Sequence, residues 1–194
     1  MLKIRKLIIY NEMQQSQKRI FSKIISGGQT GVDQGALEAA LALNHPCGGW
    51  CPKGRLSEAG IIPTVFPVRE HPSPDYRDRT TANVRDSDGT LLFTFGEPSG
   101  GTAYTLEQAE ALGRPFWLID LQDAVPDVIS RDGGVLVFRQ APKGRPEQPD
   151  VQAIRNWGCR QAVSVLNVAG PRESNHPGIQ QIVKAIMLRV LGRE

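Results

Sequence analysis

Hydrophobic positions along the chain alternate between two textures. "IFSKII" (Ile20 to Ile25) and "TLLFTF" (Thr90 to Phe95) are short β-rich apolar runs. The second is nearly continuous, as expected for a strand buried on both faces. "PFWLID" (Pro115 to Asp120) and "AVSVLNVAG" (Ala162 to Gly170) read as two further strands. Between them the apolar period lengthens to that of a helix. Val32, Ala36, Leu37, Ala40 and Leu41 make one face, ended by His45-Pro46. A second helix is expected from about Thr102 to Gly113. In a third, Ile179, Ile182, Val183, Ile186, Met187 and Val190 form a stripe, with Pro177 suited to the first helical turn. Strands alternating with helices predict an α/β fold with a parallel sheet covered on both faces. Ligands in such sheets collect beyond the carboxyl ends of the strands. Glycine-bearing segments fall at that edge after Ile25, Phe95 and Val168. The proline-rich stretch from Gln122 to Pro149 predicts one added strand and a surface loop.

Composition narrows the class. The chain has 194 residues, 40% hydrophobic and 22% charged, ordinary for a soluble globular protein that needs neither metal nor disulfides to hold its core. Its net charge of +3 is unevenly placed, because residues 1–19 hold five cations against Glu12 and the remainder is close to neutral. That argues against a nucleic-acid surface. Residues 1–19 are expected to be a poorly ordered leader, with Met13 an alternative start, ahead of a single domain over 20–194. The run Leu7 to Tyr10 is too short for a signal-peptide core, and no stretch suits a bilayer span, so a cytoplasmic protein is expected. Three cysteines fit a reducing compartment. His45, Cys47 and Cys51 cluster, but the C-x3-C spacing without a second ligand pair favours small buried thiols over a metal site.

Five segments carry candidate chemistry. In "SGGQTGVDQ" (Ser26 to Gln34), Gly27 and Gly28 let a ligand oxygen approach the main chain, and Gly31 permits the turn into a helix. Unpaired amides at that helix start suit an anion, with Ser26, Gln29, Thr30 and Asp33 around it. Thr30 or Asp33 serves equally as a helix cap. The segment is neither G-x-G-x-x-G nor a P-loop. "GGWCPKGRLSEAG" offers Lys53 and Arg55 on either side of Gly54, either as an anion grip or as a solvated loop with two surface cations, and Glu58 follows as a further candidate. "YRDRTTANVRDSDGT" places Arg79 and Asn83 on one helical face, with Thr80 beside them and Asp88 before the next strand, while Arg85 and Asp86 suit a helix end. "PSGGTAYT" repeats the opening logic with Gly100, Gly101 and Thr102. In "NVAGPRES", Arg172 is a ligand contact or the partner of a nearby carboxylate.

These segments in this order resemble the molybdenum-cofactor carrier family within the wider SLOG group, which includes the lysine-decarboxylase-like, cytokinin-activating phosphoribohydrolases. The resemblance covers about Ser26 to Gly178. It implies a Rossmann-like three-layer sandwich with a mostly parallel central sheet. It also implies a homo-oligomer, dimer or tetramer, that binds a phosphate-bearing pterin or nucleotide-like ligand at its glycine-rich loops. Molybdenum cofactor is the implied cargo. The phosphoribohydrolase relatives supply the alternative, N-glycosidic hydrolysis with Arg79 as the family's arginine. Their P-G-G-x-G-T-x-x-E segment is only partly kept. Gly101-Thr102 match, but the glutamate position is Thr105, and the nearest acid, Glu107, lies two residues on. Cleavage builds positive charge on the ribose, which that carboxylate would stabilise. Binding is therefore the expectation, ahead of turnover.

Overall fold

The computed structural model describes residues 19–122, 126–128, 137–138 and 150–192. The leader expected over residues 1–19 lies outside them, apart from Arg19. Five strands form the central sheet: β1 (Lys23–Ile25), β2 (Cys47–Gly48), β7 (Gly89–Thr94), β8 (Phe116–Asp120) and β11 (Val165–Ala169). They lie in the order β2-β1-β11-β7-β8, and all four pairings are parallel. Every residue of β7 is buried, as its unbroken apolar run requires.

Among the described residues five helices accompany the sheet: α1 (Val32–Ala42), α2 (Tyr76–Arg85), α3 (Gly100–Ala111), α4 (Val151–Arg160) and α5 (Ile179–Leu191). Alternation along β7 divides the layers. Leu91 and Phe93 join the main core with residues of α1, α4 and α5, while Thr90, Leu92 and Thr94 point to the other face, where α2 packs on α3 and α3 on β7. The α1–α5 contact is tight because Gly35 has no side chain. A Cβ there would stand 2.4 Å from the Gln180 carbonyl oxygen. Between β2 and α2 the chain adds two small pairs, parallel β3 (Trp50–Cys51) with β6 (Arg69–Glu70) and antiparallel β4 (Leu56–Ser57) with β5 (Gly60–Ile61). They enclose a second small core of Leu37, Cys51, Ile62, Phe66 and Val68.

The order of strands positions the site. If the chain is read from β11 onward and then through β1, β2, β7 and β8, the spatial order becomes third, second, first, fourth, fifth. That is the doubly wound arrangement. Its switch point falls between β11 and β7, whose following helices lie on opposite faces, so the loops beyond these two strands diverge and leave a crevice.

Several boundaries differ from expectation. The first strand is shorter than Ile20 to Ile25. The helix expected from Thr102 begins at Gly100, so both glycines belong to its first turn. Pro177 lies outside α5, whose cap is Gly178 in the left-handed region at φ +91°, its N–H donated to the Glu173 carboxylate. The stretch from Gln122 to Pro149 contains two short antiparallel strands, β9 (Pro126–Val128) and β10 (Val137–Phe138), where one was expected. Helix α4, with Asp150 as its cap and Ile154 and Trp157 buried, was not foreseen.

Candidate functional site

At the start of α3, the backbone turns after β7 through Gly96 at φ +71°, whose N–H is held by Asp120 Oδ1 at 2.9 Å. Ser99 caps α3 in extended conformation without a side-chain bond, and no acid lies in the first turn. Gly100, at φ +53°, and Gly101 donate their N–H groups to nothing among the described residues. The first amides to close back are those of Thr102 and Ala103, on Ser99 O at 3.1 and 3.2 Å. A Cβ at either glycine would meet nothing within 4 Å. Bare N–H groups at the positive end of a helix dipole are the elements that an anion site requires. Across the crevice stands Arg172, exposed, its guanidinium without a hydrogen bond or ion pair among the described residues.

The start of α1 is built differently. Gln29 N–H is held by Asp33 Oδ2 at 3.2 Å, Thr30 N–H by the Gln29 side-chain oxygen at 3.0 Å, and Gly31 N–H by Gln180 Oε1 at 3.2 Å. Val32 N–H goes to Pro171 O at 3.2 Å. Four amides that the glycine pattern left open to a ligand are thus filled by the protein's own oxygens. Neither Thr30 nor Asp33 is the cap, which is Gly31 at φ +81°. Gly27 is needed for close approach, since a Cβ there would lie 1.4 Å from Arg79 Nη1.

Helix α2 forms one wall of the crevice. Asp75 caps it by accepting Arg77 N–H at 2.9 Å. Tyr76, Arg79, Thr80 and Asn83 line the crevice from one face. Arg79 reaches across to Asp33, Nη1 to Oδ2, at 3.4 Å, both side chains nearly buried. Burial pushes the Asp33 carboxyl above its ordinary value, more than the Arg79 charge, the Gln29 N–H bond and the nearby Ser26 hydroxyl lower it. Asn83 clamps the Trp50 peptide, accepting its N–H at 2.7 Å and donating to its carbonyl at 2.9 Å. Phe95 and His176 stack in the crevice with centroids 4.0 Å apart and planes 11° from parallel.

The model of the circularly permutated YpsA SLOG family matches residues 24–191. The chain belongs to that family. The strand order is itself permuted relative to the doubly wound one, with β11 the last strand of the sheet in the chain and the first in that order. A crystal structure of a putative molybdenum carrier protein from Syntrophus aciditrophicus is similar at 37% identity, covering 92% of this chain and 99% of that one, with a TM-score of 0.73. No curated protein matches. The central sheet of this SLOG-family chain, flanked by helices, is the Rossmann-like arrangement its motifs predicted.

Of the residues singled out from sequence, the crevice gathers Gly27, Gln29, Asp33, Arg79, Thr80 and Asn83, together with Gly100, Gly101, Thr102 and, facing them, Arg172. The remaining candidates stand elsewhere, each held by the fold. Ser26 Oγ donates to Val168 O at 2.6 Å, and Gly28, at φ +77°, faces Ile62. Arg55 is committed to the backbone, donating to the carbonyls of Ile62, Pro63, Phe66 and Val68. Lys53 is exposed, and Gly54 N–H is held by Glu70 at 2.7 Å. Glu58 ties its hairpin to the rim, accepting from Thr30 Oγ1, Ser174 N and Ser174 Oγ. Asp88 lies at the amino end of β7 and takes the N–H groups of Ser164 and Val165 at 3.1 and 2.7 Å, far along the strands from the crevice. Thr105, aligned by resemblance with the glutamate of the phosphoribohydrolases, is buried and donates to Gly101 O at 2.8 Å, while Glu107 is exposed and outside the crevice. Cys51 is buried and Cys47 partly so, and burial raises both thiols. Among the described residues no group of acids, histidines and cysteines is placed to hold a metal, and no helix is long and apolar enough to cross a membrane.

Sequence reasoning missed Phe95, His176, Tyr76 and Asn167 as crevice residues. The position of Phe95 just past the carboxyl end of β7 was an available signal, whereas Asn167 lies mid-strand in β11.

Proposed function

We propose that this chain is a carrier that binds a small phosphate-bearing molecule with a flat ring, of pterin or nucleotide type, in the crevice between β11 and β7. The phosphate sits on the Gly100 and Gly101 amides, with Arg172 supplying a forked charge from the facing loop. The ring has aromatic faces at hand in Tyr76 and in the Phe95–His176 stack. The observation that carries this reading is the start of α3, where two N–H groups have no acceptor among the described residues and a Cβ at either glycine would meet nothing within 4 Å. Molybdopterin, a pterin with a phosphate, fits that description, and the similar Syntrophus protein bears the name of a molybdenum carrier. Binding is favoured over hydrolysis because Thr105 supplies no carboxylate where cleavage would need one.

Calorimetry or native mass spectrometry of the full chain against molybdopterin, nucleoside monophosphates and inorganic phosphate tests the proposal. Binding is expected, and Gly101→Asp is expected to weaken it. Failure of a well-folded preparation to bind any of them would sink the reading.

A further inference from the structure

Asp33 and Arg79 each keep unused bonding capacity. Both hydrogen bonds that Asp33 accepts fall on Oδ2, from Gln29 N–H and from Arg79 Nη1. The nearby Ser26 hydroxyl gives its single proton to Val168 O. A guanidinium has five N–H donors. Among the described residues one is taken from Arg79, through the 3.4 Å bond to Asp33, and the buried Nε has no acceptor. A nearly buried cation so poorly matched gains free energy when a further acceptor arrives. The side chains are 14% and 7% exposed, both border the crevice, and Gly27 has no side chain to stand in front of them.

An acceptor and a donor thus lie side by side, and their charges offset each other. A second phosphate would gain little here, because Asp33 repels what Arg79 attracts. A neutral group with N–H beside C=O gains from both. We infer that Asp33 and Arg79 read the lactam edge of a planar oxo-heterocycle, the ring N–H donating to Asp33 and the ring carbonyl accepting from Arg79. This rests on the proposed binding of a phosphate-bearing flat ligand and adds its class, a 6-oxopurine or a pterin-type ring. A 6-aminopurine edge suits the pair less well. Its ring nitrogen has one in-plane lone pair, whereas a carbonyl oxygen has two to meet the guanidinium fork. Tyr76, three residues before Arg79 on the same helical face, offers an aromatic surface to such a ring.

The test is a calorimetric comparison on the full chain of inosine, 1-methylinosine and adenosine 5′-monophosphates, a pterin monophosphate and inorganic phosphate. Inosine monophosphate is expected to bind about tenfold or more tightly than adenosine monophosphate, because a site with buried partners penalises a ligand lacking the matching groups. The 1-methyl analogue, which lacks the N–H, is expected to fall to the adenosine level with the protein unaltered. Asp33→Asn, checked for an intact melting transition, is expected to reduce the inosine-to-adenosine ratio to about threefold or less. The pterin arm assigns the source: tighter binding than inosine monophosphate points to a pterin, weaker binding to a purine, and either supports the lactam edge. Equal affinity for inosine and adenosine monophosphates overturns the inference, as does a preference that survives Asp33→Asn or methylation. Binding of inorganic phosphate with no ring-bearing ligand overturns it while leaving the phosphate seat standing. Binding of nothing overturns the functional proposal as well.

Discussion

The two glycine-bearing helix starts look alike in sequence and have opposite fates. At α1, donors from Gln29 to Val32 are matched one by one by Asp33, Gln29, Gln180 and Pro171. At α3, the Gly100 and Gly101 donors are left bare. The surroundings differ accordingly. A Cβ on Gly31 would come within 2.6 Å of Glu173 N and Pro171 O, while one on Gly100 or Gly101 would meet nothing. A glycine pair therefore signals that backbone is approached closely. The approaching atoms at α1 are the protein's own, and at α3 no atom among the described residues comes within 4 Å of where a side chain would begin.

Substitutions that treat the two starts alike should separate them. The largest effect is expected from Gly31→Ala, which forces backbone against backbone at a positive φ and should cost about 3 kcal/mol or more of stability. The matched change Gly100→Ala meets only the left-handed penalty, about 1–2 kcal/mol. Chemical denaturation of both measures the gap, and equal losses would erase the distinction. Next, Gly101→Asp should leave the melting temperature unchanged or raised, since an acid in the first turn suits a helix, yet lower affinity for a phosphate ligand about thirtyfold. Unaltered affinity would show that α3 is not the anion seat. Gln180→Ala should follow, costing about 1 kcal/mol by orphaning the Gly31 amide and releasing Glu38, which Gln180 Nε2 bonds at 2.7 Å.

The smallest effect concerns Glu58. Burial pushes its carboxyl up, but bonds from Ser174 and Thr30, backed by the Arg172 charge, outweigh that and hold it below its ordinary value of 4.5. A depressed carboxyl adds stability that is present above its unfolded value and lost as pH falls through the folded one. Between neutral pH and pH 5 the wild type and Glu58→Gln should keep a constant difference in melting temperature. Below pH 4.5 that difference should shrink. A difference independent of pH would remove Glu58 as an ionised tie.

Periodicity made the layered α/β plan legible, because β7, β11, α1 and α5 bury wide apolar faces that local sequence must encode. The glycine-bearing segments after Ile25, Phe95 and Val168 pointed to a common edge for the same reason: parallel strands place all their carboxyl ends together. Local pattern could not say which amides were already occupied. The partners of the α1 start come from Pro171 and Gln180, far along the chain, and no spacing rule links them to Gly31. Arg55 shows the same limit. Beside Lys53 it reads as an anion grip, whereas the folded loop wraps four carbonyls around its guanidinium. Helix α4 escaped notice because a proline-rich stretch precedes its short stripe of Val151, Ile154 and Trp157.

The place of β11 has a consequence for how the chain is made. The strand that stands between β1 and β7 leaves the ribosome after every other strand of the sheet. Until it arrives, Ile24 and Leu91 border a gap, and two unpaired strand edges are presented to the surroundings. Nascent chains should therefore need shielding over nearly the whole of synthesis, and truncation before Val165 should yield insoluble product.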